Sequence, residues 1–134
     1  MTELEKQIIT YLPFKIKVKI LNHKSDYVGI EYSTLNGFYF LNGKVHFTYE
    51  GGSTGKSTTE IKLILNPLSD FYEDVDGVSF SDMISAGYHS EFWYAENFDI
   101  RYLLHHDYIK LLSKHADLFG LIEKGLATDI KQTL

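Results

Sequence analysis

The segment FKIKVKIL at positions 14–21 alternates without a break, with Phe14, Ile16, Val18 and Ile20 on one side of an extended chain and Lys15, Lys17 and Lys19 on the other. A helix would scatter the two sets around its circumference, whereas a strand separates them completely. The chain must therefore build a sheet with one dry face and one wet face. Tyr27 to Tyr32 (YVGIEY) reads as a second strand, and FYF (38–40) and VHFTYE (45–50) flank Asn42-Gly43, a pair suited to the positive φ angles of a tight hairpin turn. Glu60 to Leu65 (EIKLIL) alternates again and stops at Asn66-Pro67, because proline has no N–H for a ladder and restrains the residue before it. Val78 to Phe80, after Asp76-Gly77, is the candidate for a sixth strand.

The period changes in the second half. Ser81 is placed to cap a brief helix from Asp82 to Ala86. Between Tyr102 and His115, the residues Leu103, Leu104, Tyr108, Leu111, Leu112 and His115 recur at three- and four-residue spacing, the pattern of an amphipathic helix. Asp117 would cap another, carrying Leu118, Leu121 and Ile122, with Gly125 ending it in a left-handed conformation. Strands first and helices last predict an α+β fold: a curved antiparallel sheet or open barrel of five or six strands, covered by C-terminal helices. With 134 residues, no linker-like run of Pro, Gly and Ser and no internal period, residues 1–134 are expected to form a single domain.

Composition removes several function classes. There is no cysteine, hence no disulfide framework, thiolate metal site or cysteine nucleophile, and the cytoplasm is the expected compartment. No apolar stretch approaches the length of a membrane span, and MTELEKQIIT carries two Glu where a signal peptide would have a basic region, so no membrane association is expected. A net charge of -5 opposes broad binding to duplex nucleic acid but leaves room for a local basic strip.

Residues 51–58, GGSTGKST, look like a phosphate-binding loop but fail on spacing, with three residues between Gly51 and Gly55 where four are needed. They also lead into an alternating, β-branched segment and not a helix, so a hairpin loop is expected. In DFYEDVDG (70–77), a calcium loop with Gly77 at its sixth position would place Tyr72 first and Met83 twelfth, where carboxylates are required, so an acidic turn is the reading. His105 and His106 diverge by about 100° on a helix and lack a zinc spacing. His46-Phe47-Thr48 matches half of the paired His-x-Thr arrangement of two-histidine phosphoesterases, but His89 and His115 are not followed by a matching Thr. No catalytic residue, metal ligand or cofactor is assigned.

Two features point to binding. Lys15, Lys17 and Lys19 at period two set ammonium groups about 6.5 to 7 Å apart on one face, a spacing comparable with the step between phosphates of an extended single strand. Tyr32, Tyr39 and Phe47 are candidates to stack bases beside them. The segment YHSEFWYAENF (88–98) concentrates aromatics, and Tyr88, Trp93 and Tyr94 combine large apolar area with a polar atom, the chemistry of interface anchors.

Three stretches, YLPFKIKV (11–18), EIKLILNPLSDF (60–71) and HADLFGLIEKGLATDI (115–130), together resemble a group of short proteins encoded by bacteriophages and prophages, in which a strand ending in a PLSDL-like turn precedes an FGLIEKGLAIDI-like closing helix. This chain departs in having Asn66 where the pattern has a basic residue and Phe71 where it has Leu. The resemblance implies a setting, infection or lysogeny in a bacterial cytoplasm, and carries no reaction and no site residue. The expectation is a non-enzymatic phage or prophage accessory protein that binds a host or viral macromolecule, with a protein as partner, through the aromatics around Trp93. The alternatives are a barrel binding single-stranded nucleic acid or a nucleotide through the lysine stripe, and a phosphoesterase using His46.

Overall fold

The computed structural model describes residues 1–22, 29–52, 54–68 and 105–132, of which 105–107 by their backbone alone. The expected elements at 78–80 and 82–86, the acidic 70–77 segment and Tyr88, Trp93 and Tyr94 all lie outside the described residues.

The chain begins with a helix, α1 (Glu3–Tyr11), that the alternation does not announce. Thr2 caps it reciprocally with Glu5: the Thr2 hydroxyl accepts from the Glu5 N–H at 3.1 Å, and the Glu5 carboxylate accepts from the Thr2 N–H at 2.7 Å. Ile8 and Tyr11 go into the core. A 3₁₀ turn, Leu12–Phe14, follows, with Pro13 early in the turn and Lys15 left-handed at φ 55°.

Strand β1 (Lys17–Ile20) therefore starts later than the alternation suggests. Lys15 is exposed but stands off the ladder, so the expected three-lysine stripe reduces to Lys17 and Lys19. The second strand is also displaced: β2 is Tyr32–Leu41, ten residues that take in FYF, and it pairs antiparallel with β3 (Lys44–Tyr49). Asn42 and Gly43 join them with φ of 51° and 76°, the backbone a two-residue primed turn requires. β4 (Ile61–Leu65) lies antiparallel on the other side of β1 and ends before Asn66-Pro67 as expected.

The sheet order is β3-β2-β1-β4-β5, and the sheet is mixed and open. The expectation of an all-antiparallel sheet is overturned by β5 (Ala127–Asp129), which runs parallel to β4. That strand follows the segment expected to be a second C-terminal helix ending at Gly125. The helix is absent: the Asp117 carboxylate accepts from the Leu121 and Ile122 N–H groups at 2.8 and 2.9 Å, four and five residues on and not as a helix cap, although Gly125 is left-handed at φ 74°. Gly120, however, is also left-handed at 68°, so residues 118–126 form turns that bury Leu118 and Leu121 without a helix. The preceding helix, α2 (His105–Ser113), agrees with the apolar spacing. It closes in a Schellman motif, with Ala116 N–H bonded to the Leu111 carbonyl and His115 N–H to that of Leu112. His115 takes the left-handed position at φ 57°, and its Nε2 lies 2.7 Å from the Phe14 carbonyl oxygen.

The 51–58 stretch is not a hairpin loop, because β3 and β4 are not neighbours. Gly52 packs so closely that a Cβ there would fall 2.4 Å from the Tyr49 ring. Lys56 then pairs backbone to backbone with Phe47 on the outer edge of β3. Glu60 N–H bonds the Ser57 carbonyl, and β4 begins. A path with such a turn from Lys56 to Ile61 reaches only about 14 Å, whereas four strand spacings in a flat sheet are about 19 Å. The sheet must therefore curl between Lys56 and β4. The core fills its concave side, with Ile16, Val18, Ile20, Leu35, Phe47, Leu63 and Leu65 against Tyr11, Leu111, Leu112 and Leu121. No helix starts after Lys56, so no phosphate cradle of the nucleotide-hydrolase kind is formed.

Two carboxylates seal this architecture. Glu5 Oε2 accepts from the Val45 N–H at 2.8 Å, covering the β3 edge one pair away from the Lys56 bridge. The N–H groups of Thr2 and Val45 hold the Glu5 carboxyl below its usual range against burial. Burial pushes Glu60 up, but the N–H and hydroxyl of Ser57, the Lys56 ammonium and the Asn22 amide outweigh it and leave that carboxyl lowered too. A lowered folded-state value means stability is fully present above the unfolded value and is lost as pH falls through the folded one. Thermal midpoints are therefore expected to be flat from pH 7 to about 5 and to fall below about 4.3. Glu60→Gln should remove part of the acid-side loss, and melts followed by circular dichroism at stepped pH check this.

Candidate functional site

Strand parity sorts the sheet residues into two sets. Val18, Leu35, Val45, Phe47 and Leu63 go inward, while Lys17, Lys19, Tyr32, Thr34, Tyr39, Lys44, His46 and Lys62 take the convex face. Register then decides which of them meet. Lys19 stands opposite Tyr32 on β2 and opposite Lys62 on β4, a row across three strands, and Lys17 stands opposite Thr34. Two ammonium groups facing each other across a ladder destabilise it by a few tenths to about 1 kcal/mol. At the β4 side, Ile64 shares the face but is buried, so the open surface lies over β1, β2 and β3 and the Lys62 end of β4.

A register shift between Leu35 and Gly37 re-aims the second half of β2. Thr48 hydroxyl donates to the Asn36 amide oxygen at 2.6 Å across the bulge. Beyond it Phe38 pairs with Phe47, and Tyr39 with His46. Phe38, Tyr39, Phe40 and Leu41 are 40 to 59% exposed, an unusual solvent-facing run for aromatic and aliphatic residues. Phe38 meets Phe40 edge-on at 6.0 Å, and Tyr39 stacks on the His46 ring at 5.4 Å and 11°.

His46 and Thr48 share a face, as the alternation requires, but one stacks on Tyr39 and the other is bound within the bulge. Two of the cavities beside the described residues hold carboxylates. One, of about 390 Å³, lies between Thr2, Glu5, Lys44 and the 57–59 turn; the other, of about 410 Å³, between Pro67, Leu68, Asp117 and Ile122. In the first the Glu5 carboxylate accepts from the Thr2 and Val45 N–H groups through its two oxygens; in the second, which Glu123 also lines, Asp117 accepts likewise from Leu121 and Ile122. These bonds tie Glu5 and Asp117 to the backbone of the fold. Among the described residues no group of three or more His, Asp or Glu gathers to hold a metal ion, and no helix is long and apolar enough to cross a membrane.

Of the residues singled out from the sequence, Lys17 and Lys19 lie on the convex face and Lys15 beside it. The sequence reading missed Lys62, Lys44 and the hairpin tip at Phe40-Leu41. Alternation within 60–65 marks Lys62 as outward, but only the pairing of β1 with β4 shows that it faces Lys19. The result is a small α+β domain with a curled, open five-stranded sheet, an exposed aromatic hairpin and a lysine row. No family model matches the chain, and neither a curated protein nor a solved structure matches it.

Proposed function

We propose that this chain is a small non-enzymatic binding protein that engages a macromolecule through the convex sheet face and the hairpin that prolongs it, in the phage or prophage setting that the sequence resemblance implies. The observation that supports this reading is the run Phe38 to Leu41, held 40 to 59% exposed at the end of a ten-residue strand. Keeping such residues in water forgoes about 25 cal/mol per Å² of apolar surface; Tyr39 and Leu41 carry it on the convex side, and Phe38 and Phe40, paired with Phe47 and Val45, on the opposite side, so the hairpin offers a partner apolar surface on both faces.

The turn chemistry makes the hairpin well suited to presentation. Asn42-Gly43 closes it without strain, and a Cβ at Gly43 would meet nothing within 4 Å, so the tip is open on that side. Affinity capture of the tagged chain from bacterial cells, before and after phage infection or prophage induction, tests the reading. A partner retained by the wild type is expected to be lost by at least about tenfold with Phe40→Ser, since interface aromatics commonly contribute 2 kcal/mol or more. The thermal midpoint should stay within about 2 °C, since Phe40 is mostly in water. Equal recovery with Phe40→Ser would remove the hairpin from the interface.

A further inference from the structure

We infer that the occupant of the convex face is a single-stranded nucleic acid, an inference that rests on the binding reading above and names its partner class. Charge is the first reason. Lys19 and Lys62 face each other in register with Lys17 one pair along, and a row of like charges is relieved by a polyanion laid across it. The nearby acids are marginal: Glu31 and Glu50 flank β2 and β3 at their ends, and Glu60 accepts from Ser57 and Asn22.

Geometry is the second reason. Tyr32 and Tyr39 are 45 and 40% exposed, and seven residues of strand separate them by about 23 Å. Between them run Lys17 opposite Thr34, then Asn36 and Thr48 with their amide and hydroxyl groups, and beyond Tyr39 comes Lys44 opposite Leu41. A strand of several nucleotides spans that distance with phosphates near the lysines and a splayed base at each tyrosine, the Tyr39–His46 stack offering a ready platform. A duplex keeps its bases stacked and cannot use the rings in this way.

The test is fluorescence anisotropy of the full chain with labelled ten-nucleotide oligo-dT and oligo-rU at 50 and 200 mM salt. Binding that weakens with salt, by a slope of about 0.7 per phosphate contact, is expected. Tyr39→Ala should weaken it about five- to a hundredfold with the slope unchanged, as loss of one base stack does. Lys17→Glu should weaken it and lower the slope. Lys62→Glu separates binding from folding, because it sets a carboxylate opposite Lys19 and should hold or raise the thermal midpoint while weakening the oligonucleotide. Lys124→Glu, away from the face, should change neither. Absence of binding at 50 mM salt, binding that Tyr39→Ala and Lys17→Glu leave intact, or equal affinity for a duplex of the same length would overturn the inference. Phe40-dependent capture of a protein alongside a failed oligonucleotide titration would overturn it while leaving the binding reading in place.

Discussion

Tyr11→Ala is expected to lower the free energy of unfolding by about 4 kcal/mol or more, the larger of the two stability losses argued here. Tyr11 is fully buried at the end of α1, where its ring meets Phe119 edge-on at 5.9 Å. Its hydroxyl donates to the Ala116 carbonyl and accepts from the Leu118 N–H at 3.2 Å. Burial also raises the pKa of this hydroxyl above the usual phenol range, so it remains a donor at any ordinary pH. Truncating a buried aromatic costs about 3 to 5 kcal/mol through lost transfer and a residual cavity. Losing the hydroxyl adds to it, because the Ala116 carbonyl and the Leu118 N–H then keep only their bond to each other at 3.0 Å. Small domains have only about 5 to 15 kcal/mol in total, so urea denaturation should find the variant close to unfolding in water. Tyr11→Phe, which keeps the ring, should cost about 1 to 3 kcal/mol. A loss below about 2 kcal/mol for Tyr11→Ala would mean that α1 is not integral to the core.

The sequence makes parts of this arrangement plain and conceals others for identifiable reasons. The alternation of 14–21, the Asn42-Gly43 turn and the arrest of β4 at Pro67 are local, each set by neighbours within a few residues; the turn and the arrest appear where expected, and the strand does so over its second half, Lys17–Ile20. α1 is equally local: Thr2 and Glu5 spell a capping box and Leu4, Ile8 and Tyr11 an apolar face, a signal distinct from the leader-like features that MTELEKQIIT lacks. Lys15 went astray because Pro13 draws the chain into a 3₁₀ turn just before it. The misreading of 118–126 has a different origin. Leu118, Leu121 and Ile122 satisfy helical spacing, yet two left-handed glycines let the same residues reach the core from turns, and apolar periodicity alone does not distinguish the two. β5 has three residues and little strand signal, and owes its place to β4. The convex face was half legible. Its lysines on β1 follow from parity, whereas Lys62, Tyr32 and Tyr39 join them through pairings between segments 13 to 43 residues apart, which no local pattern encodes.

Asp117→Ala should cost about 2 to 4 kcal/mol, and the loss should not add to that of Tyr11→Phe. The Asp117 carboxylate is buried and accepts the N–H groups of Leu121 and Ile122, while its own N–H reaches the Asn66 carbonyl at 2.9 Å. Tyr11 grips the residues on either side of it, Ala116 and Leu118. The two side chains thus fix one short segment from opposite ends: Tyr11 ties it to α1, and Asp117 shapes the turns that deliver Ala127 to β4. Once either is removed the segment relaxes and the remaining one holds less, so a double-mutant cycle by urea denaturation should give a coupling of about 0.5 to 3 kcal/mol, with the double variant less destabilised than the sum. Strict additivity would show that the two grips are independent and that β5 docks without the turn being shaped first. Loss of β5 in the double variant should also leave the outer side of β4 unpaired, and faster amide exchange at Leu63 and Leu65 than at Tyr39 and His46 is the local signature to look for.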